Sequence, residues 1–583
     1  MNRPAKPAIG IDLGTTFSVL ARLDGSGRPC ITANSDGDFS TPSAVYFHEG
    51  GVIVGKEAAK LARHEPTAVA QFAKREMGKP FYHKAILGQR LPPELIQALV
   101  LRRLRRDATL ALGELGKVVV TVPACFNEPR RKATMDTGRL AGLKDLDIIN
   151  APTAAALAYG VMDGFLESSG RARQREQILV YDLGGGTFDA TLIEIDGWKY
   201  RTVATEGDIR LGGLDWDERI ADYVAEHFKT KFKVDLHENP AAWQALLQEA
   251  EDAKRALSSR SKVALHFQND GHRAAVPLSS ALLESMSSDL VDRTICTVKN
   301  LLHESGRQWR DITRILLVGG SSRMPMVQRA LGRESGLDLD RSLLNEEPVA
   351  LGAAIHAGLL SESDAGQRPE IEIQDISSHT LGVLGLDRQT KLPLRKLLIA
   401  KNTPLPATGS GIFPTLRADQ RQVALDVVEG GDDSGRNAAR IGRCVVLGLP
   451  AGLPVGTRVK VTFTYAVNGR LTVTAKLPVA QSQMTVVVRW ATGLSEDEIQ
   501  EWQQWIDAGA MLQVAKQAGA AEPVLELAAD DYLESAYEEA VLADEPSPAA
   551  QSRPQRKSAP PRPAPRDTAA AGRDSFFTEL GLR

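Results

Sequence analysis

Two short stretches, DLGTT at 12–16 and DLGGGTFD at 182–189, constrain this chain more than any other feature. Each follows an apolar run, Ala8-Ile9-Gly10-Ile11 and Ile178-Leu179-Val180-Tyr181, and each leads into another, Phe17-Ser18-Val19-Leu20-Ala21 and Ala190-Thr191-Leu192-Ile193. Such runs joined by a short glycine turn read as β-hairpins. Glycine lets backbone N–H groups approach phosphate oxygens, threonine adds a hydroxyl donor, and an aspartate at the turn suits the waters around Mg²⁺. One such turn is equally a tight hairpin that needs glycine for its own geometry. Two in one chain predict two related lobes, each presenting a phosphate loop to one nucleotide between them.

Two further pieces suit the same ligand. Leu316-Leu317-Val318 runs into Gly319-Gly320-Ser321-Ser322-Arg323, a strand and turn ahead of a helix start at Met324-Pro325. A helix N-terminus there suits a nucleotide's polar edge. Glu251, Lys254, Arg255 and Ser258 fall on one face of a predicted helix. That face suits a ribose and base, or is a solvated charged surface.

Composition narrows the classes. With 583 residues the chain holds two or more domains, and a net charge of −3 gives no general pull toward nucleic acid or anionic membrane. Its four cysteines are far apart and form no C-x-x-C pair, which argues against a zinc site or disulfide framework and fits a reducing compartment. The opening MNRPAKPAIGIDLG holds no apolar signal core, and no stretch approaches the ~18 apolar residues of a membrane helix. A cytoplasmic location is the expectation. RRLRR at 102–106, without interleaved aromatics, reads as a solvated helix face rather than a nucleic-acid site.

Eight motifs then stand in order: IGIDLGTTFS (9–18), AKREMG (73–78), VVVTVPACFNEPRRKAT (118–134), IINAPTAAALAYG (148–160), YDLGGGTFD (181–189), GDIRLGG (207–213), EDAKRALSS (251–259) and LLVGGSSRMP (316–325). In these the chain resembles the 70-kDa heat-shock, DnaK-like chaperones. The resemblance implies an α/β actin-like ATPase domain over 1–368, two lobes around a cleft, binding ATP or ADP with Mg²⁺. By resemblance, Gly14, Thr15 and Thr16 make the first phosphate loop, and Gly184, Gly185, Gly186 and Thr187 the second. Asp12 and Asp182 hold the waters of Mg²⁺, Asp189 lies near the γ-phosphate, and Lys74 orients the attacking water. Gly212, Gly213, Glu251, Lys254, Arg255 and Ser258 make the adenosine pocket, with Gly319, Gly320, Ser321 and Arg323 opposite, and Arg255 and Arg323 could sandwich the adenine. Pro123 and Arg131 resemble the relay that reports nucleotide state to a second domain. Phosphoryl transfer asks for positioning and charge neutralisation more than a covalent nucleophile, and these residue types supply both.

After residue 368 the texture changes. Segments such as Val459-Lys460-Val461-Thr462-Phe463-Thr464 alternate with period two, which reads as antiparallel β-structure. LLIAKNTPLP (397–406) resembles the start of the chaperones' substrate-binding β-sandwich, here 376–493 behind a linker at 369–375. That alignment puts Val383, Leu386, Phe413, Leu416, Val423 and Leu425 on a peptide groove; the alternative is that they fill a sandwich core. Ser495 and Glu498 form a capping box, with Ile499, Trp502 and Ile506 on one face of the helix that follows. Residues 494–545 read as a short helical lid, acidic over 524–543, and 546–583 as a disordered Pro/Ala/Arg-rich tail ending in DSFFTELGLR, a docking motif or a frayed end.

The expected function is that of an ATP-dependent chaperone in protein folding and the stress response. It would hold extended apolar segments of unfolded polypeptides, with a J-domain co-chaperone and a nucleotide exchange factor as partners and neither nucleic acid nor membrane. The alternative is a nucleotide-gated scaffold or holdase that binds ATP and hardly turns it over. An actin-like filament protein has no use for 376–493, and a sugar or acetate kinase needs a small-molecule pocket. Three departures from the family pattern sharpen the expectation. The linker reads Ile371-Glu372-Ile373-Gln374 before Asp375 where the family is apolar, which predicts weak coupling between domains. Asp147 stands where many members carry a basic residue that meets a J-domain aspartate. Ala151 replaces the glutamate of the family's INEPTAAA, which predicts ATP binding with very slow hydrolysis.

Overall fold

The computed structural model describes residues 6–162, 175–197, 199–342, 347–366, 371–386, 393–478, 482–490 and 493–509. The acidic stretch 524–543 and the tail with DSFFTELGLR lie outside the described residues.

Strand β1 (Ile9–Asp12) and β2 (Phe17–Leu23) form an antiparallel hairpin. Helix α1 (Pro93–Leu112) leads to β3 (Val118–Val122), parallel to β1. Helix α2 (Glu128–Leu140), capped by the Asn127 side chain on the Arg130 N–H, leads to β4 (Leu146–Asn150), parallel to β3. Helix α3 (Ala151–Met162) follows directly. The second lobe repeats the scheme. β5 (Glu176–Leu183) and β6 (Phe188–Asp196) form the hairpin and β7 (Lys199–Asp208) extends it. After α4 (Gly213–Phe232) and α5 (Pro240–Leu257), β8 (Arg314–Val318) pairs parallel with β5. Buried strands such as Val118–Val122 carry continuous apolar runs because both faces are covered.

Helix α6 (Pro348–Asp364) joins the lobes by lying on α3, and both are rich in small residues. A Cβ on Gly352 would come within 1.8 Å of the Ala154 carbonyl oxygen, so the two backbones touch only because that side chain is missing. No helix among the described residues is long and apolar enough to cross a membrane.

The linker is a strand. β9 (Glu372–Gln374) pairs parallel with β7, Tyr200 opposite Ile373. Ile371 and Ile373 pack on the buried cluster that holds Tyr200 and Ile195, while Glu372 and Gln374 are exposed and Glu372 faces Lys199 at 3.6 Å. Alternation along the strand separates the two pairs. The polar residues therefore take nothing from the buried face, and the physical ground for expecting weak coupling is gone.

Beyond it, β10 (Leu381–Leu386), β11 (Pro393–Ile399), β12 (Ala407–Pro414), β13 (Gln422–Gly430), β14 (Ala438–Leu447), β15 (Arg458–Tyr465), β16 (Leu471–Leu477) and β17 (Ser482–Trp490) form an antiparallel sandwich in the order β11-β10-β13-β14-β17-β16-β15-β12. Here the groove expectation needs correction. Val383, Phe413, Val423 and Leu425 are buried in the sandwich core with Val459 and Phe463, because the alternation points them between the two sheets. Leu416 is half-buried in the loop after β12, its N–H donating to Gln420 Oε1 at 2.7 Å. The Leu386 side chain lies outside the described residues.

Helix α7 (Glu496–Asp507) carries the expected capping box, Glu498 N–H to Ser495 Oγ at 3.2 Å and Ser495 N–H to Glu498 Oε2 at 2.7 Å. Its apolar face does not cover the sandwich. Leu494, Ile499 and Ile506 are buried with Leu95 and Leu99 of α1, on the first lobe. Arg139 pairs with Glu496 at 2.5 Å and Arg102 with Asp507 at 2.6 Å. The basic run at 102–106 is thus partly an interdomain contact: Arg102 reaches α7, and Arg103 pairs with Asp107 and Asp36.

Candidate functional site

The two hairpin turns face each other. A Cβ on Gly185 would lie 2.2 Å from Thr16 Oγ1, so the second turn reaches the first only as glycine. Between the lobes opens a cavity of about 560 Å³. Its floor is lined by Gly14, Thr15, Thr16, Gly184, Gly185 and Thr187, with Asp12, Lys74, Asp182, Asp189, Pro123 and Ala151 around them. Gly186 and Gly212 do not line it; they support the loop from behind, and a Cβ on Gly212 would lie 2.5 Å from the Gly186 nitrogen.

One lysine stands among three carboxylates, Asp189 buried and Asp12 and Asp182 half-buried. Burial pushes Asp12, Asp182 and Asp189 up, Asp182 to about 8 with help from its two acidic neighbours, while Lys74 opposes each rise. Burial lowers Lys74 against the pull of all three. Thr121 Oγ1 donates to Asp12 at 2.7 Å, and the Cys125 N–H donates to Asp189 at 2.9 Å. Burial and Asp189 together hold the Cys125 thiol protonated. Among the described residues no group of three His, Cys, Asp or Glu is placed to hold a metal ion directly. Carboxylates in excess of cations, without a direct three-residue ligand set among the described residues, fit an Mg²⁺ held through its waters and by phosphate oxygens.

The other end of the cavity is lined by Gly213, Glu251, Lys254, Arg255 and Ser258, facing Gly319, Gly320, Ser321 and Arg323. Arg255 pairs with Glu251 at 2.6 Å and lies over the Phe17 ring, 5.5 Å from its centre. Lys254 is committed elsewhere. It pairs with Asp217 at 2.7 Å and donates to the Gly213 carbonyl at 2.8 Å, tying α5 to the start of α4. Asp217, Phe17 and Phe72 also line the cavity. Sequence reading passed over them, because Asp217 looks like any acid in an amphipathic helix until Lys254 is beside it.

The relay candidates lead outward. Pro123 lines the cavity, and the next turn runs to Cys125, whose carbonyl meets His379 Nε2 of the sandwich at 3.0 Å. Arg131 lies outside the cavity. It donates to the Phe126 carbonyl at 3.0 Å, to Asn150 Oδ1 at 2.7 Å and to Ser378 Oγ at 3.4 Å. Asn150 in turn donates to Asp375, directly after β9, at 2.6 Å. Lys401 pairs with Glu206 and, at 2.8 Å, with Glu304, and Asn468 donates to Asp147 at 2.9 Å.

A protein-family model described as Hsp70 protein matches residues 8–88 and 83–551. The chain belongs to the Hsp70 family. Hsp70 proteins are ATP-dependent chaperones, and the two-lobed α/β domain followed by an antiparallel sandwich is the architecture of this one. In this Hsp70 the sandwich, strand β9 and helix α7 are all docked on the first domain.

Proposed function

We propose that this Hsp70 binds Mg²⁺–ATP in the cleft and uses nucleotide state to control its hold on extended apolar segments of unfolded polypeptide, with very slow turnover. The observation that carries the reading is the pair of glycine turns closing on one cavity around Lys74 and three carboxylates. The turn amides and Thr15, Thr16 and Thr187 hydroxyls suit phosphate oxygens, and Glu251, Arg255, Ser258 and Arg323 suit the nucleoside. When bound, Mg²⁺ supplies charge neutralisation at the β- and γ-phosphates. Lys74 orients the attacking water, and Asp189 is held by the Cys125 amide that leads to His379.

Docking of the linker and sandwich supports nucleotide control of peptide release. Single-turnover ATP hydrolysis and peptide affinity, measured with ATP and with ADP, test the reading. ATP is expected to bind and to weaken an apolar peptide, with little hydrolysis on the timescale of binding. Equal peptide affinity in both nucleotides would sink the gating, and absence of ATP binding the whole reading. The holdase alternative is favoured by one observation, Ala151 at the cavity wall.

Co-chaperone choice follows from Asp147. Its carboxylate accepts from Asn468 and from the Ile148 N–H, and stands where a J-domain aspartate would meet it. Like charges repel at such a contact. A generic J-domain protein is expected to stimulate this chain poorly, and Asp147→Arg to improve the response severalfold. An unchanged response in the variant removes the idea.

A further inference from the structure

Two glutamates meet across the interface between the first lobe and the sandwich. Glu128 opens α2, Glu429 lies near the end of β13, and both are buried. The Glu128 backbone N–H donates to both Glu429 oxygens, at 3.4 and 3.3 Å, and Tyr465 Oη donates to Glu429 Oε1 at 2.9 Å. Glu429 therefore has two donors and the N-terminus of a thirteen-residue helix in front of it. Glu128 is worse served. Its Oε1 accepts from the Leu471 N–H at 3.2 Å, and its buried Oε2 has no hydrogen-bond partner among the described residues.

The cations nearby do not neutralise the pair. Arg131 and Arg470 pull on Glu128 less than burial and Glu429 push it, and among the described contacts neither forms an ion pair with either glutamate. Arg131 spends its guanidinium on Phe126, Asn150 and Ser378. The other charged or titratable groups on the wall of the same 290 Å³ interdomain cavity are Asp147, Asp375, His356 and His379. Two neighbouring buried glutamates, with no cation paired to either among the described contacts, cannot both stay ionised at low cost.

We propose that docking of the sandwich on the ATPase domain takes up one proton, held by the Glu128–Glu429 pair and released when the domains part. The proton comes from solvent onto a carboxylate oxygen, and no other bond changes. Apart from each other both side chains face water and ionise as ordinary glutamates. Docked, burial and the Glu429 charge raise Glu128 from 4.5 to about 8. The docked form thus binds the extra proton between those two values. Its contribution to docking is complete below the lower value and is lost as pH rises through the upper one. The docked-to-undocked ratio is expected to fall roughly fiftyfold from pH 6 to pH 8.

Amide hydrogen exchange of the full chain without nucleotide tests this, so the result does not depend on the ATP reading. The probes are the Leu471 amide and the linker amides of β9, each rate divided by the intrinsic rate at the same pH. In the unaltered chain their protection should fall by that factor from pH 6 to pH 8. Glu429→Gln keeps the acceptor for Tyr465 and removes the like charge, so the fall in protection should shrink while the part due to burial of Glu128 remains. Glu128→Gln should flatten the profile from the other side, and serves if the first variant fails to dock. Constant protection in the unaltered chain, or the same fall in a docking-competent variant, overturns the proposal.

Discussion

Replacing Ala151 by glutamate is expected to raise the single-turnover rate of ATP hydrolysis by about 10²–10³-fold. Ala151 opens α3 immediately after Asn150, lines the cavity beside Pro123, and is buried. The family pattern puts a carboxylate there, able to hold a water at the reacting centre. A methyl group accepts no hydrogen bond. The neighbouring carboxylates are already engaged: Asp12 by Thr121, Asp189 by the Cys125 amide, and both by the field of Lys74. Binding should survive the alanine, because the two turns and the nucleoside wall do not involve it. The measurement is one turnover of ATP on the unaltered chain and on Ala151→Glu, with nucleotide affinity measured alongside. Ordinary chaperone rates in the unaltered chain, unimproved by the glutamate, would rule the proposal out.

Lys254→Met is expected to cost the second lobe about 3–5 kcal/mol at neutral pH. Lys254 and Asp217 are both nearly buried, 2.7 Å apart, and the same ammonium satisfies the Gly213 carbonyl at the mouth of α4. Removing it strands a buried carboxylate. Burial outweighs the pull of Lys254 and already holds Asp217 at about 6, above its ordinary 3.8. Below about 6 the carboxyl is neutral with or without the lysine, so the variant's deficit is smallest there. Above it the unaltered chain carries a paired anion while the variant must strand or protonate one, and the deficit grows. Urea unfolding at pH 5.5 and pH 7.5 reads both effects. Adding Asp217→Asn should recover most of the loss. A deficit below about 1 kcal/mol, the scale of an exposed pair, would show that the pair carries little.

Glycine, proline and capping residues were legible because they act within a few residues of themselves. The turns at 12–16 and 182–189, the strand ahead of Gly319 and the Ser495–Glu498 box all stand where the chain's local chemistry puts them. Partner choice was less legible. Glu251, Lys254 and Arg255 read as a ligand face and all line the cavity, but the Lys254 ammonium is already paired with Asp217. The groove candidates alternate as a groove or a core would, and only the approach of the second sheet decides between them.

The amino-acid order by itself determined two glycine-turn hairpins, their parallel neighbours, an alternating sandwich and the absence of a carboxylate at Ala151, since these depend on turn geometry, periodicity and residue identity. Tertiary structure alone decided that the sandwich and α7 lie on the first domain, that Ile371 and Ile373 turn inward, and that Glu128 meets Glu429. Those outcomes join residues hundreds of positions apart, and the free energy of each pairing comes from burial and charge at a contact that exists only once the domains have docked.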